Sequence, residues 1–177
     1  MNAAVWIALT LFLAQTASEA DPPLLAPINP TPQAIVERML QLGGLRAGEE
    51  MCDLGSGDGR IVITAARKFH AYALGVEIDD ELYRESTEQL RKLGLSRSAR
   101  IIRGDLLKQR YGSCDVVTVY LEQSSEGVIA ALLERELKKG ARVVSHNFEL
   151  RGWRPRRVES IDDAADGKPH TLYLYER

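Results

Sequence analysis

Between residues 50 and 145 the chain alternates two hydrophobic patterns. Short, nearly unbroken apolar runs surround Met51, Tyr72 and Arg100, and two more cover Val116 to Leu121 and Arg142 to Ser145. Between the runs, apolar positions return at helical spacing over about Gly59 to Phe69, Asp79 to Leu93 and Ser124 to Lys139. Continuous Val/Ile/Leu strands joined by helices belong to parallel sheets covered on both faces. Gly94 and Gly140 stand where helix C-terminal glycines belong. The tail breaks the pattern. Arg157 to Ile161 and Thr171 to Tyr175 (TLYLY) read as two strands joined by a polar loop with no helix between them, which predicts an antiparallel hairpin. The expectation is an α/β fold of seven strands, mostly parallel, ending in that hairpin.

Upstream the pattern changes twice. Ala3 to Ala14 (AAVWIALTLFLA) is apolar except for one threonine, too short for an ordinary span of about 20 residues. It turns polar and ends in Ser18-Glu19-Ala20, so residues 1–20 read as a signal peptide or short anchor. That reading makes the protein exported, or membrane-proximal and cytoplasmic-facing if the segment is an uncleaved anchor. Residues 21–32 hold five of the seven prolines and predict an extended linker. Thr31 then reads as an N-cap with Pro32 at the first helical position, ahead of Ile35, Val36, Met39, Leu40 and Leu42. Residues 33–177 make one domain, and the nearly balanced charge, 23 Lys+Arg against 25 Asp+Glu, gives no reason to expect a nucleic-acid partner.

The chemistry centres on Glu49 to Arg60, EEMCDLGSGDGR, a strand running into a turn and a helix. Gly55, Gly57 and Gly59 alternate there, so the backbone can take positive φ and approach a ligand, and the start of the following helix favours negative charge. A dinucleotide turn needs glycines at its first, third and sixth positions; here the sixth is Arg60. The next apolar run ends in Glu77, near the ~20-residue distance at which a doubly wound fold sets an acid on ribose hydroxyls. The third is followed by Gly104-Asp105.

DLGSGDGR, an acid followed by G-x-G-x-G, resembles the first motif of the Rossmann-like class I S-adenosylmethionine-dependent methyltransferases. The wider set of Pro-Thr-Pro before a helix, DLGSGDGRIVI, GVEID, RGDL, ARVVSHNF and Gly152-Trp153 is similar to a lysine-methylating branch. That branch includes the archaeal protein-lysine methyltransferase and the enzymes acting on the ATP synthase c subunit and adenine nucleotide translocase. The resemblance covers roughly Asn29 to Arg177. It implies S-adenosyl-L-methionine as cofactor and a protein presenting a lysine as partner. It also implies a cofactor site of Asp53 near the methionine end, Gly55, Ser56, Gly57, Asp58 and Gly59 beneath it, Glu77 and Ile78 at the ribose, and Asp105 and Leu106 at the adenine. Thr31 is either a plain cap or a contact to the cofactor's amino-acid end.

Acceptor-side residues are read from position. Tyr120 and Glu122 follow the fourth strand, where ligands sit beyond carboxyl ends; Tyr120 would orient the acceptor or wall its pocket, and Glu122 would be a substrate-side carboxylate. No Asn/Asp-Pro-Pro-aromatic motif stands there, which counts against an adenine or glutamine amide target. His146 could edge the pocket, while His70 and His170 read as structural. Arg151 to Arg157, with Trp153 among them, reads as a solvated edge around one packed aromatic, or else as a docking surface. Cys52 and Cys114, placed at opposite strand ends, are expected to be free thiols. No metal-ligand spacing occurs. Two other readings stay open: a small-molecule methyltransferase, and a non-catalytic exported binding domain.

Overall fold

The computed structural model describes residues 30–163 and 166–177, so the apolar segment 1–20 and the linker up to residue 29 lie outside the described residues. In chain order the elements are α1 (Gln33–Leu42), β1 (Glu50–Leu54), α2 (Arg60–Lys68), β2 (Tyr72–Glu77), α3 (Asp80–Lys92) and β3 (Ala99–Arg103). They continue with β4 (Val116–Val119), α4 (Glu126–Glu136), β5 (Arg142–His146), β6 (Arg157–Asp163) and β7 (Lys168–Glu176). Short 3-10 turns at Leu106–Lys108 and Gln123–Ser125 follow β3 and β4.

All seven strands form one sheet in the order β3-β2-β1-β4-β5-β7-β6. The pairs β1–β2, β1–β4, β2–β3 and β4–β5 are parallel. β7 runs antiparallel to both neighbours, as the helix-free hairpin predicts. Strand order reverses between β1 and β4, and that switch point is where an open α/β sheet offers its crevice.

Two apolar layers close the sheet. On one face Ile35, Val36 and Met39 of α1 pack with Val62 and Ala65 of α2 and with Met51 and Val144 from the sheet. On the other, Ile129 and Leu133 of α4 pack on Leu54, Val119 and Val143. The strands are apolar on both sides because both sides are covered. Arg38 of α1 holds Glu159 of β6 through two 2.7 Å contacts.

Three local expectations need correction. The N-cap of α1 is Pro32, in an extended conformation with no side-chain cap, and Thr31 is buried instead. Gly94 does end α3, at φ 69°, with its N–H on the Arg91 carbonyl and the Leu95 N–H on the Leu90 carbonyl, a pair of bonds that satisfies the last carbonyls of a helix. Gly140 does not: α4 stops at Glu136 and Leu137 is extended, so Gly140 serves the turn into β5.

The third correction is covalent. Cys52 and Cys114 form a disulfide, with Cα atoms 5.9 Å apart, and neither thiol is free. β1 is only five residues long, so Cys52 is its midpoint rather than its carboxyl end. The Cys114 N–H bonds the Tyr111 carbonyl at 3.0 Å in the turn before β4, and both cysteines share the α4-side layer.

Candidate active site

The glycine turn is pinned before it meets any ligand. Gly55 and Ser56 both donate their N–H groups to the Val76 carbonyl, at 3.0 and 2.9 Å, which fixes the turn to the carboxyl end of β2. Gly57 has φ 52°, and a Cβ built on it would meet nothing within 4 Å, so its outer side is open space. Beneath the turn the room runs out. A Cβ on Gly75 of β2 would lie 2.6 Å from Ser56 Cβ and Oγ and from Ile101 Cδ1. Among the described residues, the Ser56 hydroxyl is the buried side-chain polar atom left without a hydrogen-bond partner.

Three acids stand at the ends of β1, β2 and β3. Asp53 is only 2% exposed and accepts a 2.7 Å hydrogen bond from the Thr118 hydroxyl of β4, its register partner. Burial, helped by the nearby Glu77 and Asp58 charges and opposed by the Thr118 hydrogen bond, pushes its carboxyl up to about 7. Glu77 reaches under the turn: Oε2 accepts from Gly57 N–H at 2.6 Å, and Oε1 from Ile78 and Asp79 N–H at 2.9 Å each. A carboxylate offers about four acceptor positions, so one remains. Asp105 caps the 3-10 turn through Leu107 N–H at 2.8 Å, and the Gly104 N–H bonds the Glu77 carbonyl at 2.8 Å, drawing the two strand ends together. Leu106 is buried beside them and Ile78 half-buried.

Thr31 lies over the start of α2. Arg60 bonds Asp58 through Nε at 3.0 Å and reaches the Thr31 carbonyl with Nη1 at 2.8 Å. The Thr31 hydroxyl lies 3.3 Å from His146 Nδ1, at the end of β5. Tyr120 packs on the His146 ring with centroids 4.1 Å apart and stacks on Phe148 at 6.5 Å. Burial raises its phenol above the ordinary pKa, while the Asn147 side chain accepts from the Thr171 N–H at 2.9 Å. Glu122 is exposed, beyond the strand end, and is not drawn into this cluster. Trp153 meets Tyr175 edge-on at 6.1 Å, while Arg156 and Arg157 pair with Glu176 and Glu159.

The sequence reading missed Thr118, Asn147 and Asp166. Thr118 had a signal: it is the one polar residue in VVTV, beside the only acid of β1's interior. Asn147 and Asp166 had none, since their roles come from the hairpin folding back on β5. A cavity of about 350 Å³ opens at the opposite, amino-terminal edge, lined by Glu50, Tyr72, Arg97 and Ser113 among others. It lies away from the edge where such sheets bind ligands. Among the described residues no cluster is arranged to hold a metal ion, and no helix is long and apolar enough to cross a membrane.

A sheet of this order with an acid-G-x-G-x-G turn at its switch point defines a class I S-adenosylmethionine-dependent methyltransferase. Residues 53–157 match the ANTKMT methyltransferase domain. The chain belongs to that family. It is 42% identical over 150 residues to a protein-lysine N-methyltransferase of Saccharolobus islandicus (strain REY15A), covering 84% of this chain and 92% of that one. It is 39% identical over 120 residues to the adenine nucleotide translocase lysine N-methyltransferase of Mus musculus, covering 68% of this chain but only 52% of the mouse protein. Among solved structures, an RNA methyltransferase from Salinibacter ruber in complex with S-adenosyl-L-homocysteine superposes with a TM-score of 0.76. It is 36% identical, with 84% of this chain and 93% of that one covered.

Proposed function

We propose that this chain transfers the methyl group of S-adenosylmethionine to the side-chain amine of a lysine presented by a protein. The observation that carries this is the 42% identity, over 84% of this chain and 92% of the other, to a protein-lysine N-methyltransferase.

The residues at the carboxyl edge suit the cofactor. The acceptor position left on Glu77 fits a ribose hydroxyl, and the Asp105 carboxylate fits the adenine amine, with Ile78 and Leu106 flanking the ring. The open side of Gly57 admits a ligand, and Gly55, Asp58 and Gly59 shape the same turn. Ser56 shapes the turn with them, its hydroxyl packed beneath against Gly75. Asp53 would lie at the amino-acid end with the Thr31 segment beside it, the Thr31 hydroxyl turned toward His146. When bound, the cofactor supplies a methyl group already activated on a sulfonium. The chain's own work is then positioning and relieving the acceptor of a proton. Tyr120, held between His146 and Phe148, walls the acceptor's approach. Glu122 offers an exposed carboxylate to an arriving cation.

The test is incubation with methyl-labelled cofactor, a cell extract fractionated into protein, RNA and small molecules, and mass spectrometry of labelled products. Label on protein lysine supports the proposal. Label on RNA would favour a second reading, that of the Salinibacter protein; label on small molecules, or on nothing while the cofactor binds, would favour the two remaining readings. Residues 1–20 are read as an export signal or anchor, a setting in which a buried disulfide such as Cys52–Cys114 is at home. Cell fractionation with sequencing of the mature amino terminus checks that reading.

A further inference from the structure

Four side chains form an unbroken polar chain from the glycine-turn side of the edge to the surface. Thr31 Oγ1 is 3.3 Å from His146 Nδ1, His146 Nε2 is 2.8 Å from His170 Nδ1, and His170 Nε2 is 3.2 Å from both Asp166 oxygens. Thr31, His146 and His170 are 4%, 0% and 4% exposed, whereas Asp166, on the turn between β6 and β7, meets solvent. Apolar side chains of that volume would hold this hairpin at no desolvation cost, so the polar identity calls for a reason.

The direction of the chain follows from its outer end. The Lys168 N–H and His170 hold the Asp166 carboxyl below the usual carboxylate range, so it is ionised and can only accept. In its neutral form His170 carries its proton on Nε2, facing Asp166, and leaves Nδ1 bare toward His146. His146 must in turn donate from Nε2, which leaves its Nδ1 to accept from the Thr31 hydroxyl. Every hydrogen bond points outward. Burial and the neighbouring His170 push His146 down to about 3, so its imidazole stays neutral with one donor and one acceptor nitrogen.

We propose that Thr31, His146, His170 and Asp166 form a proton outlet, carrying the proton that the acceptor lysine must lose from the methyl-transfer pocket to solvent. The inference rests on the lysine-methyltransferase reading. As an ammonium proton passes to the Thr31 hydroxyl, that hydroxyl gives its own proton to His146 Nδ1. His146 Nε2–H passes to His170 Nδ1, His170 Nε2–H passes to Asp166, and Asp166 releases a proton to water. The amine is left neutral with its lone pair free, and the two rings, now protonated on Nδ1, must regain their starting tautomers before the next transfer. His170 and Asp166 act through His146 and are positioning residues. Among the described residues, the charged or titratable groups at the two rings are Tyr120 from the end of β4, Asp166 from the hairpin turn, and each other, with Lys168 acting on Asp166.

The test is the pH profile of methyl transfer to a lysine substrate by wild type, His170→Phe and Asp166→Asn. At pH 7 only a small fraction of free lysine is neutral, so losing the outlet should lower kcat by ~10–100-fold. The deficit should shrink to roughly twofold near pH 10, where the amine sheds its proton unaided, and cofactor affinity should not change. A deficit that is the same at every pH, or absent, overturns the outlet while leaving the methyltransferase reading intact. Wild type that never methylates lysine overturns the reading beneath it. Nitrogen-15 NMR of wild type supplies a measure independent of variant folding. His146 should remain a neutral Nε2–H tautomer down to about pH 4, and titration near the ordinary histidine value would break the chain.

Discussion

Asp53 carries the sharpest quantitative expectation. Its carboxyl titrates at about 7 in the free protein because burial disfavours its charge. A cofactor ammonium beside it would hold it ionised, so binding below pH 7 must expel a proton. With that value, about a tenth of the molecules carry an ionised Asp53 at pH 6 and about nine-tenths at pH 8. Affinity for S-adenosylhomocysteine should therefore weaken roughly tenfold from pH 8 to pH 6, about 1.4 kcal/mol. Isothermal titration calorimetry in buffers of different ionisation enthalpy should also register close to one proton released per ligand at pH 6. Asp53→Asn should bind weakly and show no such slope. A flat wild-type profile across this range, or the same slope in Asp53→Asn, would refute the assignment. Stability carries the same linkage with a definite sign. Between the unfolded value near 3.8 and the folded value of about 7, the folded state holds a proton that the unfolded chain has lost. This contribution is full at low pH and disappears as pH rises through 7.

His146 works in the opposite direction. Its pKa is lowered from 6.5 to about 3, so its stabilisation is full above 6.5 and fades as pH falls through about 3, and the unfolding free energy of wild type should drop relative to that of His146→Phe by ~4 kcal/mol on acidification across that window. Gly57→Ala strains a left-handed residue into open space, so it should cost the fold about 1–2 kcal/mol by urea denaturation, yet weaken cofactor binding roughly tenfold to a hundredfold because the new methyl enters the ligand's place; equal affinity in the variant would remove the ligand from that turn. The disulfide closes a loop with a sequence separation of 62, so Cys114→Ser should lose about 4 kcal/mol, and thiol titration of the unfolded, unreduced wild type should find none.

Much of this molecule is readable from hydrophobic pattern. The strand runs at Met51, Tyr72 and Arg100 gave parallel neighbours because they are mostly apolar and are separated by helical spacing, and the hairpin followed from the lack of any helical pattern between residues 161 and 171. Strand-end acids were legible for the same reason, since a charge closing an apolar run has few other places to go. What escaped the pattern depends on segments distant in sequence. Thr31 meets His146 across 115 residues, and no local spacing distinguishes a capping threonine from one turned toward β5. The disulfide was misjudged because its reach depends on where a five-residue strand begins and how the turn before β4 closes. Glu122 showed the limit of reasoning from position alone: it stands past the right strand, but on the exposed side.

The most direct measurement is a crystal structure of the chain with S-adenosylhomocysteine. The ribose hydroxyls should lie on Glu77, the adenine amine near Asp105 and the amino-acid end beside Asp53, with the ligand resting on the open face of Gly57. A ligand seated elsewhere, or Glu77 and Asp105 left untouched by it, would contradict the account.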